Sequence, residues 1–259
     1  MIDSHCHLDF SDFDHDREAL LQCCHQQGIE QFIVPGVTAE GWAALMALVE
    51  GHVGLFGALG LHPMFLAQHR DADLERLRHL LTEWPAIAVG EIGLDFYHGE
   101  QQAARQCELF EAQLKIAKAF QLPVILHVRK AHDRVLAALR RIGGFGGIVH
   151  AFAGSLQQAQ QYQQLGFLLG VGGAVTYPRA NRLRRTLAEL PLEALVLESD
   201  APDMRPAMAK EHRNTPLVLS DVVTVLSELH QCSRTLILQK STASLEAMFP
   251  ALLIEGKLS

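Results

Sequence analysis

The sequence predicts an α/β protein, a (β/α)8 or TIM barrel that occupies residues 1–259 as a single domain. Three observations predict it. Eight short β-type runs recur along the chain, and between most of them lie segments with apolar residues at three- and four-residue spacing. No GxGxxG turn follows the first run, as it would in a dinucleotide-binding doubly wound sheet. Alternation of strand and helix implies parallel pairing, and about 250 residues is the usual size of a closed barrel of this kind.

The first run is MIDSHC at 1–6, followed by the amphipathic segment DREALLQCCHQQG, which Gly28 ends. QFIVPG at 31–36 and GLFGALG at 54–60 are the second and third strands, and LERLRHLLTEW reads as the helix after the third. AIAVGEIG at 86–93 leads into the helical QCELFEAQLKIAKAFQ, and Pro123 then opens PVILH at 123–127. GGIVH at 146–150, GFLLGVGG at 166–173 and ALVLESD at 194–200 complete the set. The stretch from Asp203 to Pro216 has the composition of a loop and, following the last strand, is expected to lie over the barrel mouth.

Nearly half the residues are apolar, so a sizeable core can form. The net charge of −7 argues against a broad nucleic-acid-binding surface but leaves room for a small phosphate-ester site, where bound cations would reverse the local sign. The five cysteines show no repeated CxxC, and neither a secretion signal nor a membrane span is evident, so reduced thiols and a cytoplasmic location are expected. A monomer without an obligate protein partner is the expectation for a self-contained barrel.

The chemistry is concentrated where the strands end. His5 and His7 stand at the end of the first run, His62 just past the third, Glu91 on the fourth, His127 on the fifth, His150 on the sixth and Asp200 on the eighth. Barrel enzymes build their sites at that face from several strands, so these distant positions should converge. An isolated HxH pair suits an ordinary polar strand end; the joint pattern does not. Read as an extended strand, residues 5 and 7 share a face, with Cys6 directed outward against a helix.

Four histidines and two carboxylates exceed the needs of one tetrahedral ion, so two divalent metal ions are expected, zinc or manganese, with magnesium not excluded. Glu91 is the natural carboxylate to bridge them, the pair would share and activate a hydroxide, and Asp200 would manage its proton. These residues alone leave open whether the attacked atom is phosphorus or carbon. They also leave open a metal-binding scaffold without activity.

The motifs DSHCHLD, LGLHP, VGEIGLDFY, LPVILHVRKAHD, GIVHAFAGS, GVGG, ESDAPDM and RNTP run through nearly the whole chain in this order. In them the sequence resembles the TatD-type metal-dependent hydrolases, a branch of the amidohydrolase-like barrels. The resemblance implies metal ligation by His5, His7, Glu91, His127, His150 and Asp200. It also implies hydrolysis of phosphoester bonds, with deoxyribonuclease or 3′→5′ exonuclease character and single-stranded DNA ends as substrate. The alternative is a binuclear-metal hydrolase of a carbon centre, of the amide, lactone or deaminase type. No lysine stands near Glu91, as it would in the branch bridged by a carboxylated lysine.

His62 and Arg129 then read as substrate-phosphate contacts, and Asp95 as a residue that orients a ligand or the adjoining loop. Ala151, Asp203 and Thr215 depart from the residues common in the family and alter the lip of the site. Arg179, Arg182, Arg184 and Arg185 read as a charged helix face rather than a binding surface.

Overall fold

Eight parallel strands follow one another in chain order: β1 (Ile2–Asp3), β2 (Gln31–Pro35), β3 (Leu55–Leu59), β4 (Ala88–Asp95), β5 (Val124–Arg129), β6 (Gly147–Val149), β7 (Phe167–Val171) and β8 (Leu195–Leu197). This computed structural model describes residues 1–144, 146–209 and 213–255. The seam between β8 and β1 is closed by two backbone hydrogen bonds of 2.9 Å, Ser4 N–H to the Leu197 carbonyl and Asp200 N–H to the His5 carbonyl. The expected (β/α)8 barrel is therefore present. Six strands lie within the expected runs, while β4 and β5 continue further, to Asp95 and Arg129.

The helices alternate with the strands: α1 (Arg17–Gln26), α2 (Trp42–Gly51), α3 (Asp71–Glu83), α4 (Ala103–Phe120), α5 (His132–Ile142), α6 (Leu156–Gln164) and α7 (Asn181–Ala188). After β8 come an irregular segment and then α8 (Leu219–Leu229), α9 (Arg234–Met248) and α10 (Leu252–Glu255). Positions 210–212 of the expected mouth loop lie outside the described residues. The rest of that loop is tied to the end of β8 by Asn214, whose side-chain amide donates to the carbonyls of Ser199 at 2.8 Å and Met204 at 3.3 Å. No helix among the described residues is long and apolar enough to cross a membrane.

Two apolar layers hold the molecule together. The larger lies between strands and helices and includes Trp42, Phe110, Tyr162 and Leu226, each worth roughly 1.5–3 kcal/mol on burial. Cys6 is buried in this outer layer with Cys24, as its expected outward packing requires. The smaller fills the barrel, with Ile2, Ile33, Phe56, Ala88, Ile125, Ile148 and Val196 each from a different strand. Leu245 of α9, Phe249 just after it and Leu252 of α10 plug its lower end.

The inner layer sets the parity for everything above it. Side chains two apart on a strand share a face, so Ile125 places His127 inward, Ile148 places His150 inward, and Val196 places Glu198 inward. On β4 the same rule from Ala88 would point Gly90 inward and turn Glu91 away. A shift in the β4–β5 register between Val89 and Ile92 removes that conflict, and the Glu91 N–H reaches across to the Gly36 carbonyl at 2.9 Å. Just beyond, Gly93 (φ 148°) pairs with His127, and a β-carbon there would lie 1.9 Å from the His127 carbonyl oxygen.

The reading of residues 1–6 as one strand needs correction. Regular pairing ends at Asp3, and with Ile2 inside the barrel a continued strand would have turned His5 outward. Instead Cys6 N–H bonds to Ile33 on β2 at 3.1 Å, whereas His7 N–H bonds past β8 to Ala201 at 2.8 Å. The segment splays across the seam, and this brings both imidazoles inward.

Candidate metal centre

Glu91 is 2% exposed and lies at the centre of the expected residues. Its Oε2 faces His5 Nε2 at 3.2 Å and His7 Nε2 at 3.7 Å. Its Oε1 faces His62 Nε2 at 3.1 Å, His127 Nδ1 at 3.2 Å and His150 Nε2 at 3.9 Å. Asp200 Oδ1 completes the first nest, 3.6 Å from His5, 3.7 Å from His7 and 3.8 Å from His150. The site thus has two adjoining nests of nitrogen and oxygen atoms, each served by one oxygen of the same carboxylate.

Contacts at the far side of His127, His150 and His62 indicate which nitrogen of each faces inward. His127 Nε2 lies 2.9 Å from Asp95 Oδ2, so this nitrogen carries the proton and Nδ1 is free to ligate. His150 Nδ1 lies 3.2 Å from Glu198 Oε1, an ion-pair contact that turns Nε2 towards Glu91 and Asp200. His62 has the opposite polarity. Its Nδ1 accepts the Met64 N–H at 3.1 Å, so the neutral ring carries its proton on Nε2 and donates to Glu91. His62 is thus set as a donor among the candidate ligands.

Burial and charge set the protonation. Burial drives the proton off His5, well below the usual imidazole range, and off His7 to about 4, leaving neutral rings suited to metal binding, and it lowers His62 as well, whose neutral ring donates through Nε2. Burial opposes ionisation of Glu91, yet His62, His5 and His150 hold it well below the usual carboxylate range. Burial, reinforced by Glu91, Glu198 and Asp203, raises Asp200 to about 8 despite His150. Burial would likewise deprotonate His150, but Asp200, Glu198 and Glu91 together raise it to about 10. Without cations the site therefore retains protons among its acids, the place that a divalent ion would take.

Donor type and convergence fit metal binding. The His5 and His7 Nε2 atoms approach to 3.3 Å, a distance at which two lone pairs repel unless a proton or cation lies between them. The ring-nitrogen and carboxylate-oxygen atoms of His5, His7 and Asp200, and those of His62, Glu91 and His127, lie within 4.8 Å of one another.

Three features of the surroundings were not read from the sequence. Glu198 is fully buried, and its Oε1 also accepts the Ala151 N–H at 2.7 Å; the period-two step from Val196 to Asp200 was the available signal. Gln106 on α4 donates to the Asp95 carbonyl at 2.9 Å and accepts the Asp95 N–H at 2.8 Å. Gln113, on the same face of α4, pairs in the same way with Leu61 at 3.1 and 2.8 Å, just before His62. Lys130, Ala151 and Asp200 all adopt positive φ (55°, 46° and 55°) at the ends of β5, β6 and β8, a cost that clusters at functional sites.

Arg129 stands outside the cluster. It is exposed, with its guanidinium 3.6 Å from the ring centroid of Tyr97. Arg184 and Arg185 direct donors at the carbonyls of Val175 and Asn181.

Comparison with known proteins places the chain in a family. The profile of the TatD related DNase family matches residues 2–250. The uncharacterized metal-dependent hydrolase YjjV of Escherichia coli K12 is 47% identical over 233 residues, spanning 89% of this chain and 90% of its own. The crystal structure of that TatD homologue superposes with a TM-score of 0.93 at 44% identity, covering 96% of this chain and 98% of the other. The 3′-5′ ssDNA/RNA exonuclease TatD of Cronobacter turicensis is 33% identical over 238 residues, 88% of this chain and 89% of its own. The chain belongs to the TatD related DNase family of metal-dependent hydrolases.

Proposed function

We propose that this chain hydrolyses phosphodiester bonds in single-stranded nucleic acid, working from the 3′ end, with two divalent cations held by His5, His7, Glu91, His127, His150 and Asp200. The observation that carries the reading is the placement of Glu91, with one oxygen toward the His5–His7 pair and the other toward His127. The likeness to a relative named as a 3′-5′ ssDNA/RNA exonuclease supports phosphorus over carbon as the attacked atom.

When bound, such cations polarise water and neutralise phosphoryl oxygens. The side chains then divide the remaining work. His62, with its proton on Nε2, donates to a phosphoryl oxygen as charge grows there. Asp200, 14% exposed and bordering the first nest, accepts the proton released by the attacking water. Asp95 and Glu198 orient the rings of His127 and His150.

The test is a substrate panel run on protein of measured metal content: oligo(dT) labelled at either end, bis(4-nitrophenyl) phosphate, a lactone and an amide. Cleavage of both phosphodiesters with loss from the 3′ end is expected. Turnover confined to the lactone or amide would sink the proposal in favour of carbon-centre chemistry.

A further inference from the structure

Tyr97, 47% exposed, stands on the loop after β4 and is fixed to the metal centre through one carboxylate. Asp95 Oδ1 accepts the Tyr97 N–H at 2.8 Å, while Oδ2 holds His127. The Arg129 guanidinium stacks over the Tyr97 ring at 3.6 Å, and Lys130 Nζ lies 4.8 Å from the same centroid. Arg129 follows His127 by two positions on β5, and the Phe96 N–H bonds to the Arg129 carbonyl at 2.9 Å, so backbone pairing continues to this point.

Two exposed cations beside an exposed aromatic ring are unusual in a chain of net charge −7. Among the described residues neither is within ion-pair distance of a carboxylate, though Arg129 acts electrostatically on Asp95. Stacking engages the flat face of a guanidinium and leaves its in-plane N–H donors directed outward. Planar recognition of a phosphate uses those donors. Tyr97, which also meets the His98 ring at 4.9 Å in a T-shaped contact, keeps an exposed ring surface on which an unpaired base can stack without regard to its identity. Arg129, two positions after His127, shares its face of β5, so its free donors are placed to meet a phosphate beside the cluster.

We infer that Tyr97, Arg129 and Lys130 form a subsite for the nucleotide next to the scissile phosphate, with Arg129 and Lys130 on its phosphate and Tyr97 under its base. The inference rests on the phosphodiesterase reading above and adds to it how the strand is held. It assigns to Arg129 a flanking phosphate.

The test compares wild type with Arg129→Ala, Tyr97→Leu and Tyr97→Phe on oligo(dT), oligo(U) and bis(4-nitrophenyl) phosphate, which has no flanking nucleotide. Arg129→Ala and Tyr97→Leu should raise KM for both oligonucleotides by at least about fivefold more than for the small diester, with a smaller change in kcat. Tyr97→Phe, which keeps the ring, should stay near wild type. Binding of a fluorescent phosphorothioate oligo(dT), followed by anisotropy, should weaken in parallel, and Arg129→Ala should flatten the log–log salt dependence by about 0.7. Equal losses on oligonucleotide and small diester, or unchanged oligonucleotide KM and binding, would overturn the subsite. If wild type cleaves no phosphodiester, the functional reading above fails separately. The anisotropy series then decides the subsite by itself, with weaker binding by Arg129→Ala supporting it and equal binding refuting it.

Discussion

The Met64 N–H donates to His62 Nδ1 at 3.1 Å, and this single bond separates His62 from the histidines around it. It assigns the neutral ring's proton to Nε2, the atom that faces Glu91. His62→Ala should therefore retain the metal content of wild type while turnover falls by about 10²–10³, the range for loss of one donor to developing charge. His127→Ala should lose metal as well as turnover. Elemental analysis beside phosphodiester kinetics checks both, and metal loss in His62→Ala would show that His62 is a ligand.

Glu91→Gln removes the negative charge that both nests share. Bound metal should fall from about two ions per chain to one or fewer, and turnover by more than about 100-fold, the upper end of losses on changing a mere supporting residue. Elemental analysis of protein reconstituted under identical conditions gives the answer.

Asp95 and Gln106 form a chain of support that ends on His127. Asp95→Asn should weaken metal binding about 10–100-fold, measured by competition with a chromogenic chelator. Gln106→Leu and Gln113→Leu each leave a buried backbone N–H and carbonyl unpaired. Each should lower unfolding stability by about 1–3 kcal/mol per orphaned group in urea titrations.

His132, on α5, sits against the Tyr162 hydroxyl at 3.2 Å, away from the metal centre. Burial, aided by Arg182 and opposed by Asp133, lowers it to about 4. The unfolded chain takes up this proton near pH 6.5, so the stability His132 contributes is complete above about 6.5 and is lost as pH falls towards 4. The difference in urea stability between wild type and His132→Asn should therefore shift against wild type by about 1–3 kcal/mol across that window. A difference independent of pH would mean that His132 titrates normally in the fold.

The barrel was legible because each strand is an apolar run bounded by glycine, proline or a polar end, and because parallel strands buried on both faces need no alternation to announce themselves. The candidate positions were legible for a related reason. His127 and His150 close apolar runs, and polar groups at that end have no apolar layer to join. What escaped depended on partners far away in sequence. Glu198 reads as part of the last strand until His150 is known to face it, and Gln106 and Gln113 read as ordinary helix residues. The inward turn of His5 escaped for a different reason: period-two alternation holds only while a strand lasts, and β1 stops at Asp3.

The seam where β8 meets β1 has a consequence for assembly. Asp3 Oδ1 accepts the Ser199 N–H at 2.9 Å across 196 positions of chain, and His5 and Asp200 share a backbone hydrogen bond at the same closure. During synthesis His5 and His7 emerge early, while Asp200 and Glu198 arrive only with the eighth strand. A nascent chain carrying most of the barrel still lacks the chelate, and its first and latest strands are open sheet edges. If the proposed ligands hold cations, tight metal uptake would be reserved for chains that have closed the ring, and an ion would be a clasp on the finished circle rather than a template for building it.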